Sequence, residues 1–227
     1  MPAQATPRTA RPAIQPASRP RKFDQYVTTT DINGRPFKNV NEDVEGSPYF
    51  IKDPRYASIT SSKGAVYENI KVKIDLNKQE AHLFSEDQKE LVAEDGMIRE
   101  IVLADSVEGG WVYYRFQTGF PSVDKNNGNY FYQVLSDGNI QLLKSSKKEI
   151  VETRDVMSGE VRKEFVEYDE YYISRDGEIK KLKKDKDFVL GSMKDQQEKM
   201  EEYLKDKKMN YKNMDMLMKL YDFYNSL

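Results

Sequence analysis

Residues 128–144 constrain the fold more than any other stretch, because two apolar, ring-bearing runs there flank the turn sequence Asp137-Gly138. An Asp-Gly pair between such runs is a strong hairpin signal, since a tight primed turn needs residues that tolerate a positive φ angle. The stretch therefore predicts a central antiparallel hairpin that is closed by a tight turn at Asp137-Gly138.

Similar short turn sequences, rich in glycine, asparagine and aspartate, separate apolar runs through the whole middle of the chain. Connections this short permit antiparallel pairing, whereas a parallel crossover needs a dozen or more residues. We therefore predict a mainly β fold, an antiparallel meander of about 8 to 11 strands that forms a curved sheet, half-barrel or barrel. The predicted strands are 66–76, 80–85, 90–94, 97–104, 111–118, 129–136, 140–145, 149–154, 161–168, 170–174 and 178–183.

The first of these strands shows the clearest alternation. Apolar residues from Val66 to Leu76 occupy even-numbered positions, with Glu68 among them, and mostly polar residues occupy the odd ones. A period of two places alternate side chains on opposite faces of a sheet. The even-numbered side chains are therefore predicted to face the core.

The period changes near residue 186, where apolar residues begin to recur at spacings of three and four. This spacing predicts two or three amphipathic C-terminal helices, with Asn213 as an N-cap. Their apolar sides are expected to cover one open face or end of the sheet.

The N-terminal third differs from the rest of the chain. Residues 1–22 hold five of the nine prolines, five basic residues and no acidic residue, which predicts a disordered basic tail. Within it, Ala3-Gln4-Ala5 has the small-x-small form of a signal-peptide cleavage site. Residues 23–65 are predicted to be an extended segment packed on the body, and residues 66–227 to be the antiparallel β domain with its helices.

Composition excludes several classes of function. The chain has no cysteine, which removes disulfides, thiol nucleophiles and cysteine-ligated metals. Its 36 basic and 38 acidic residues nearly cancel, which argues against a general nucleic-acid binder. No apolar run approaches the roughly 20 residues that span a bilayer, so no transmembrane helix is predicted. No cofactor and no metal site are predicted.

Residues for catalysis are sparse. His82 is the only histidine and has no catalytic partner close to it in sequence, so it is interpreted as a histidine on a strand surface. Residues 124–129 superficially resemble a calcium loop but fit a β-turn better. The carboxylates in 167–170 and 198–202 favour solvated surface, and a hydrolase that uses paired carboxylates is kept as an alternative.

Aromatic residues give the leading hypothesis. Rings occur at both odd and even positions of the predicted strands, so one set belongs to the core. The other set is either covered by the helices or the N-terminal segment, or open to a partner. The candidate binding residues are Trp111, Tyr113, Phe116, Tyr130, Tyr132 and Tyr172.

Five segments carry a likeness to known proteins: Gly46-Ser-Pro-Tyr-Phe50, residues 66–75, Tyr130-Phe-Tyr-Gln-Val-Leu135 with Leu142-Leu143-Lys144, Tyr171-Tyr172-Ile173 and Tyr221-Asp-Phe-Tyr-Asn-Ser226. Through them, residues 46–227 resemble a group of uncharacterised, exported β-rich proteins of Gram-negative bacteria. The resemblance implies no catalytic residue, and it implies a periplasmic or outer-membrane-associated protein if a signal peptide is missing from the start of the sequence.

Together these observations predict a non-enzymatic cell-envelope protein that binds a partner protein or a hydrophobic ligand through the aromatic concave face of its sheet. A structural subunit of an envelope assembly is the alternative from a second class. The carboxylate-dependent hydrolase is the third.

Overall fold

The structure is a computed structural model that describes residues 43–227, apart from 86, 88, 155 and 158, together with the backbone of residues 27–28. Within this part the chain forms one sheet of twelve strands, three α-helices and a short 3₁₀ helix at Lys194–Gln196. The basic tail predicted for residues 1–22 lies outside the described residues. The elements are β1 (Val27–Thr28), β2 (Val44–Glu45), β3 (Arg55–Ser61), β4 (Val66–Asp75), β5 (Glu80–Phe84), β6 (Glu90–Ala93), β7 (Ile98–Val107), β8 (Gly110–Gln117), β9 (Tyr132–Ser136), β10 (Gln141–Arg154), β11 (Val161–Arg175), β12 (Glu178–Lys181), α1 (Lys186–Ser192), α2 (Gln197–Leu204) and α3 (Met214–Asn225).

The sheet joins two antiparallel meanders side by side, in the order β1-β6-β5-β4-β3-β7-β8-β9-β10-β11-β12. Every neighbouring pair along this path is antiparallel, and the exception off the path is the short parallel pairing of β2 with β11. The predicted mainly antiparallel fold is therefore confirmed. The sheet begins earlier than predicted, because β3 comes from the stretch expected to lie along the body and instead occupies the centre.

The half of the sheet from β6 to β7 is strongly curled. Four inter-strand steps of about 4.8 Å would separate β6 from β7 by about 19 Å in a flat sheet. The two strands are nevertheless joined by a β-turn at residues 94–97, whose ends lie within about 7 Å of each other, and the Met97 amide donates to the Glu94 carbonyl at 3.2 Å. The five strands therefore bend into a half-barrel that stays open. Its interior is filled by buried side chains that include Ile59, Val72, Ile74, Leu83, Ile101 and Phe116.

The prediction that the even-numbered side chains of β4 face the core is correct only for the second half of the strand. Val72 and Ile74 are 1% exposed, but Val66 is 58% exposed. The reason is a β-bulge, since between the pairs Ile59–Tyr67 and Ala57–Ile70 one residue of β3 opposes two of β4. Asn69 takes a φ of 58° there, which asparagine tolerates better than most residues. The extra residue exchanges the two faces of the strand upstream of the bulge.

In the other half of the sheet, the part where β9 and β12 flank the start of β10 and the end of β11 is covered on both faces. Leu142 packs on one face with α3 residues such as Leu217 and Tyr221. Its neighbour Leu143 packs on the opposite face with Tyr172 and with the loop between β8 and β9. The predicted helices therefore cover one face, and residues 118–131 cover the other.

The first and last helices begin close to the predicted positions. α1 starts at Lys186, where Asp185 accepts from the Phe188 amide at 2.8 Å. Asn213 is confirmed as the N-cap of α3, because its side chain accepts from the Met216 amide at 3.0 Å. Such caps satisfy amides that lack an intrahelical partner.

The central hairpin exists, but its turn is not the predicted tight primed turn. β9 ends at Ser136 and β10 starts at Gln141, so four residues connect them. Gly138 has a φ of +153°, and neither Asp137 nor Asn139 has the positive φ that a type I′ turn at Asp137-Gly138 would need. Instead the side chain of Asn225, at the end of α3, accepts from the Ile140 amide at 3.0 Å and donates to the Ile140 carbonyl at 2.8 Å. A distant helix thus fixes this connection.

Candidate functional site: an exposed aromatic face

The six predicted binding residues fall into separate environments. Trp111 and Tyr113 are 63% and 64% exposed. Phe116 is buried in the half-barrel. Tyr132 and Tyr172 are buried on the loop-covered face of β9–β12, where the half-buried Tyr130 packs against them. The six residues therefore do not form one binding face, and only two of them reach solvent freely.

Strand alternation explains the separation along β8. Trp111 and Tyr113 lie two positions apart and share one face, whereas Phe116 has the opposite parity. Phe116 points into the half-barrel, where Phe50 packs edge-on at 5.0 Å between ring centroids. Because the core fills the inside of the curl, Trp111 and Tyr113 stand on its convex outer surface. The prediction of a concave aromatic face is wrong.

A third exposed ring, Tyr56 on β3, lies in the same row of the sheet as Tyr113. Ala57 pairs with Leu103 and Tyr113 pairs with Ala104, so the preceding residue Tyr56 is level with Ala104 and Tyr113. Tyr56 is 54% exposed. We call Tyr56, Trp111 and Tyr113 the aromatic face. The alternation of Tyr56, Ser58 and Thr60 with Ala57 and Ile59 was the signal that could have revealed it.

Small side chains separate the three rings. Trp111 pairs with Ser106 and Tyr113 with Ala104 on the intervening strand β7. Standard sheet geometry puts about 7 Å between Trp111 and Tyr113 along the strand and about 10 Å between Tyr56 and Tyr113 across two strands. Within the described part of the chain, neither Trp111 nor Tyr113 has another ring packed on it. Each ring is therefore accessible from above the sheet.

The charges beside the aromatic face are largely balanced. Arg115 bonds Glu100 Oε2 through its Nε at 2.5 Å and also pairs with Asp137. Burial opposes the charge on Arg115, but these two carboxylates outweigh it and raise the pKa of the guanidinium. Lys71 lies at the other side, with its Nζ 5.7 Å from the Tyr56 centroid. The face is thus apolar at its centre and does not carry a strong field of one sign.

A separate groove of about 540 Å³ lies between α1 and the turn from β11 to β12. Its floor is formed by Ile140, Ile173 and Phe188, and charged side chains surround it. Arg175 at its edge donates to the Ser192 carbonyl at 3.1 Å and to Asp195 at 3.0 Å. Arg175 is therefore already committed to holding α1 on the sheet. None of the six predicted residues lines this groove.

Two carboxylates converge on the hydroxyl of Tyr172. Its oxygen lies 2.9 Å from Glu170 Oε2 and 3.1 Å from Asp124 Oδ2, and Lys181 pairs with both carboxylates. Lys181 lowers the pKa of Glu170, while burial and the two carboxylates raise that of Tyr172. A general acid needs a raised carboxyl pKa. The arrangement therefore favours a role in holding the 118–131 loop on the sheet.

The prediction that His82 lies on a strand surface is wrong, because the side chain is buried. It is 8% exposed, and the Tyr49 ring packs edge-on against it, with centroids 5.4 Å apart. Among the described residues, no group of three histidine, aspartate or glutamate side chains is arranged to hold a metal ion. In the same part of the chain, no helix is both long and apolar enough to cross a membrane.

Comparison of the chain with known protein families, with curated proteins and with solved structures finds no match in any of the three. The geometry of the chain's own residues therefore carries the functional argument.

Proposed function

We propose that the protein is a non-enzymatic binding protein of the cell envelope and that its aromatic face engages a partner protein. The observation that supports this most is that Trp111, Tyr113 and Tyr56 are exposed together on one face of the sheet. A single exposed aromatic residue is ordinary, but a cluster of them marks an interaction site more often.

The shape of the surface favours a protein over a small apolar ligand. A small molecule is usually held in a concave site that buries most of its surface. The aromatic face lies on the convex side of the curl, where it can enclose nothing. Tryptophan and tyrosine are also the side chains that most often dominate protein interfaces, because each combines a large ring with a hydrogen-bonding group.

The chemistry of the aromatic face also indicates what polarity and charge the partner's surface should have. Arg115 is held by Glu100 and Asp137, so little charge is available for long-range attraction. The complementary surface would be apolar and weakly charged, with acceptors for the Trp111 indole N–H and partners for the tyrosine hydroxyls. Affinity would then depend weakly on salt, since screening acts on unbalanced exposed charges.

Site-specific photo-crosslinking in cells tests the proposal. A benzophenone amino acid in place of Tyr113 should crosslink one defined protein, and the same probe in place of Tyr168 should not. Tyr168 is a suitable control because it is 49% exposed but lies on β11, away from the face. Equal crosslinking from both positions, or crosslinking only to a second copy of the chain or to no protein, would contradict the proposal.

Mutation of the face should weaken binding of the crosslinked protein once it is purified. Trp111→Ser and Tyr113→Ser should each raise the Kd about tenfold, the size expected for a ring at the centre of an interface. Tyr168→Ser should leave the Kd unchanged. Trp111 is the only tryptophan, so its emission should shift to shorter wavelength on binding and report burial of the face directly. Unchanged affinity in both serine variants would overturn the proposed site.

Location in the envelope is a separate part of the proposal, supported by the family resemblance of residues 46–227. Fractionation of cells that express the natural gene tests it. Recovery with the periplasm or outer membrane is expected, and recovery in the cytosol would contradict it.

A further inference from the structure

His82 lies where the half-barrel meets residues 47–51, which we call the crossing segment. This segment lies beside the end of β4, where Tyr49 and Asp75 form an isolated antiparallel bridge. The Phe50 amide donates to the Ile74 carbonyl at 2.8 Å, and the Leu76 amide donates to the Pro48 carbonyl at 2.9 Å. Tyr49 of this segment packs edge-on against the His82 ring. The histidine is therefore buried against a segment that two backbone hydrogen bonds join to residues 74 and 76 and whose Phe50 ring packs on Tyr114 and Phe116.

Charged groups from three strands surround the imidazole. Its Nδ1 lies 2.8 Å from Glu90 Oε1 on β6. Its Nε2 lies 3.7 Å from Glu80 Oε2 on β5 and 3.9 Å from Asp75 Oδ2 in β4. From the other side, Lys73 Nζ stands 4.4 Å from the centroid of the Tyr49 ring and balances part of this charge. Burial and the same three carboxylates raise the pKa of Tyr49 to about 12, so its hydroxyl stays protonated throughout.

The His82 Nε2 is buried and has no hydrogen-bond partner. In neutral histidine one ring nitrogen donates and the other accepts. A neutral ring whose Nδ1 donates to Glu90 presents only a lone pair at Nε2, toward Glu80 and Asp75, and it leaves three carboxylates close together. A protonated ring instead donates from both nitrogens and offsets one of the three negative charges.

We propose that protonation of His82 fastens the crossing segment onto the half-barrel and that loss of the proton loosens it. When His82 is charged, Glu90 is bound at Nδ1, and a small rotation brings Glu80 or Asp75 within reach of Nε2. When His82 is neutral, the carboxylates repel one another beneath Tyr49 and Nε2 stays unpaired, which costs stability.

The direction of the pH dependence follows from the folded-state pKa. Burial lowers the pKa of His82, but Glu80, Glu90 and Asp75 outweigh burial and raise it above its ordinary value. A raised pKa means that the folded state binds the proton more tightly than the unfolded state. The stabilisation is therefore complete below about pH 6.5, the ordinary histidine pKa, and is lost as the pH rises through the higher folded value.

Loosening would reach beyond the half-barrel. Lys148, on β10, donates through Nζ to the Ser47 carbonyl at 3.1 Å and to the Tyr49 carbonyl at 2.7 Å. Immediately before the crossing segment, β2 pairs with β11. The crossing segment thus connects the half-barrel to the long β10–β11 hairpin, and a proton on His82 controls how firmly it does so.

NMR and hydrogen exchange on the full chain test the proposal. Because His82 is the only histidine, its ring Cε1–H resonance needs no assignment, and we expect it to titrate above pH 6.5. After correction for intrinsic exchange rates, amides of residues 47–51 should be more protected at pH 6 than at pH 8.5. Titration at or below pH 6.5, or protection that does not change with pH, would overturn the proposal.

Two variants distinguish the effect of the proton on His82 from the effect of side-chain packing. His82→Gln should abolish the pH dependence of protection in residues 47–51. Glu90→Gln keeps the histidine but removes the carboxylate bound at Nδ1, so it should shift the titration of His82 to lower pH together with the midpoint of segment loosening. If His82→Gln fails to fold, the joint shift in Glu90→Gln still decides the matter, and midpoints that move independently would contradict the proposal.

Discussion

Replacing Phe116 by alanine should lower the free energy of unfolding by about 3–5 kcal/mol, the usual cost of removing a buried ring. Phe116 is 2% exposed and packs among the apolar residues of the half-barrel, so its removal leaves a cavity that the surrounding strands fill only in part. Trp111→Ala should change the same quantity by less than about 0.5 kcal/mol, because the indole already faces water. Two rings five positions apart on one strand thus differ at least about sixfold in their contribution to the free energy of unfolding.

Urea unfolding followed by far-UV circular dichroism is the suitable measurement, since it does not depend on the tryptophan that is removed. Tyr113→Ala is the matched control on the exposed side and should behave like Trp111→Ala. If Trp111→Ala destabilised the protein as much as Phe116→Ala, the indole would be covered in solution. The aromatic face would then be part of the core, and the proposed binding function would lose its main support.

Asn225→Ala should lower the free energy of unfolding by about 2–4 kcal/mol, because three hydrogen bonds are lost and each contributes about 0.5–1.5 kcal/mol. The side chain bonds the amide and the carbonyl of Ile140, and its Nδ2 donates to Ser136 Oγ at 3.2 Å. These bonds join the end of α3 to the connection between β9 and β10. Loss of the amide leaves the Ile140 backbone groups without this partner.

The neighbouring substitution Ser226→Ala is the control. In the described part of the chain, Ser226 Oγ bonds the Phe223 carbonyl alone, and Ser226 is exposed, so a change below about 0.5 kcal/mol is expected. Gly138→Ala provides an independent check, since an added Cβ would lie 2.6 Å from Asn225 Cγ at a φ of +153°. A stable Gly138→Ala protein, or an Asn225→Ala protein as stable as Ser226→Ala, would show that α3 does not hold this connection.

The sequence predicted those parts of the fold that depend on local chemistry. Turn residues located most strand connections, and a period of three to four located the helices and the Asn213 cap. Long-range packing decided the rest. The turn at Asp137-Gly138 has local residues suited to a primed turn, yet bonds from Asn225, far along the chain, impose another conformation. The bulge at Asn69 is likewise visible only once β3 is known to be the partner of β4.

The site was predictable in part. Parity alone separates Phe116 from Trp111 and Tyr113, and strict use of the period of two would have removed it from the candidate set. Which parity faces outward could not be read from the sequence, because it depends on the direction in which the sheet curls. Tyr56 was missed because the pairing of β3 with β7 places it beside residues that follow it by some fifty positions.

The order of strands also has a consequence for the kinetics of folding. Most neighbours in the sheet follow one another along the chain, so each hairpin closes a short loop at a small entropic cost. The seam between β3 and β7 joins the two meanders over a longer separation, and the β2–β11 pairing spans most of the described chain. Such non-local contacts slow folding. We expect the two meanders to gain structure first and the seam to close at the rate-limiting step, so that substitutions along β3 slow refolding more than those at the tip of β10–β11.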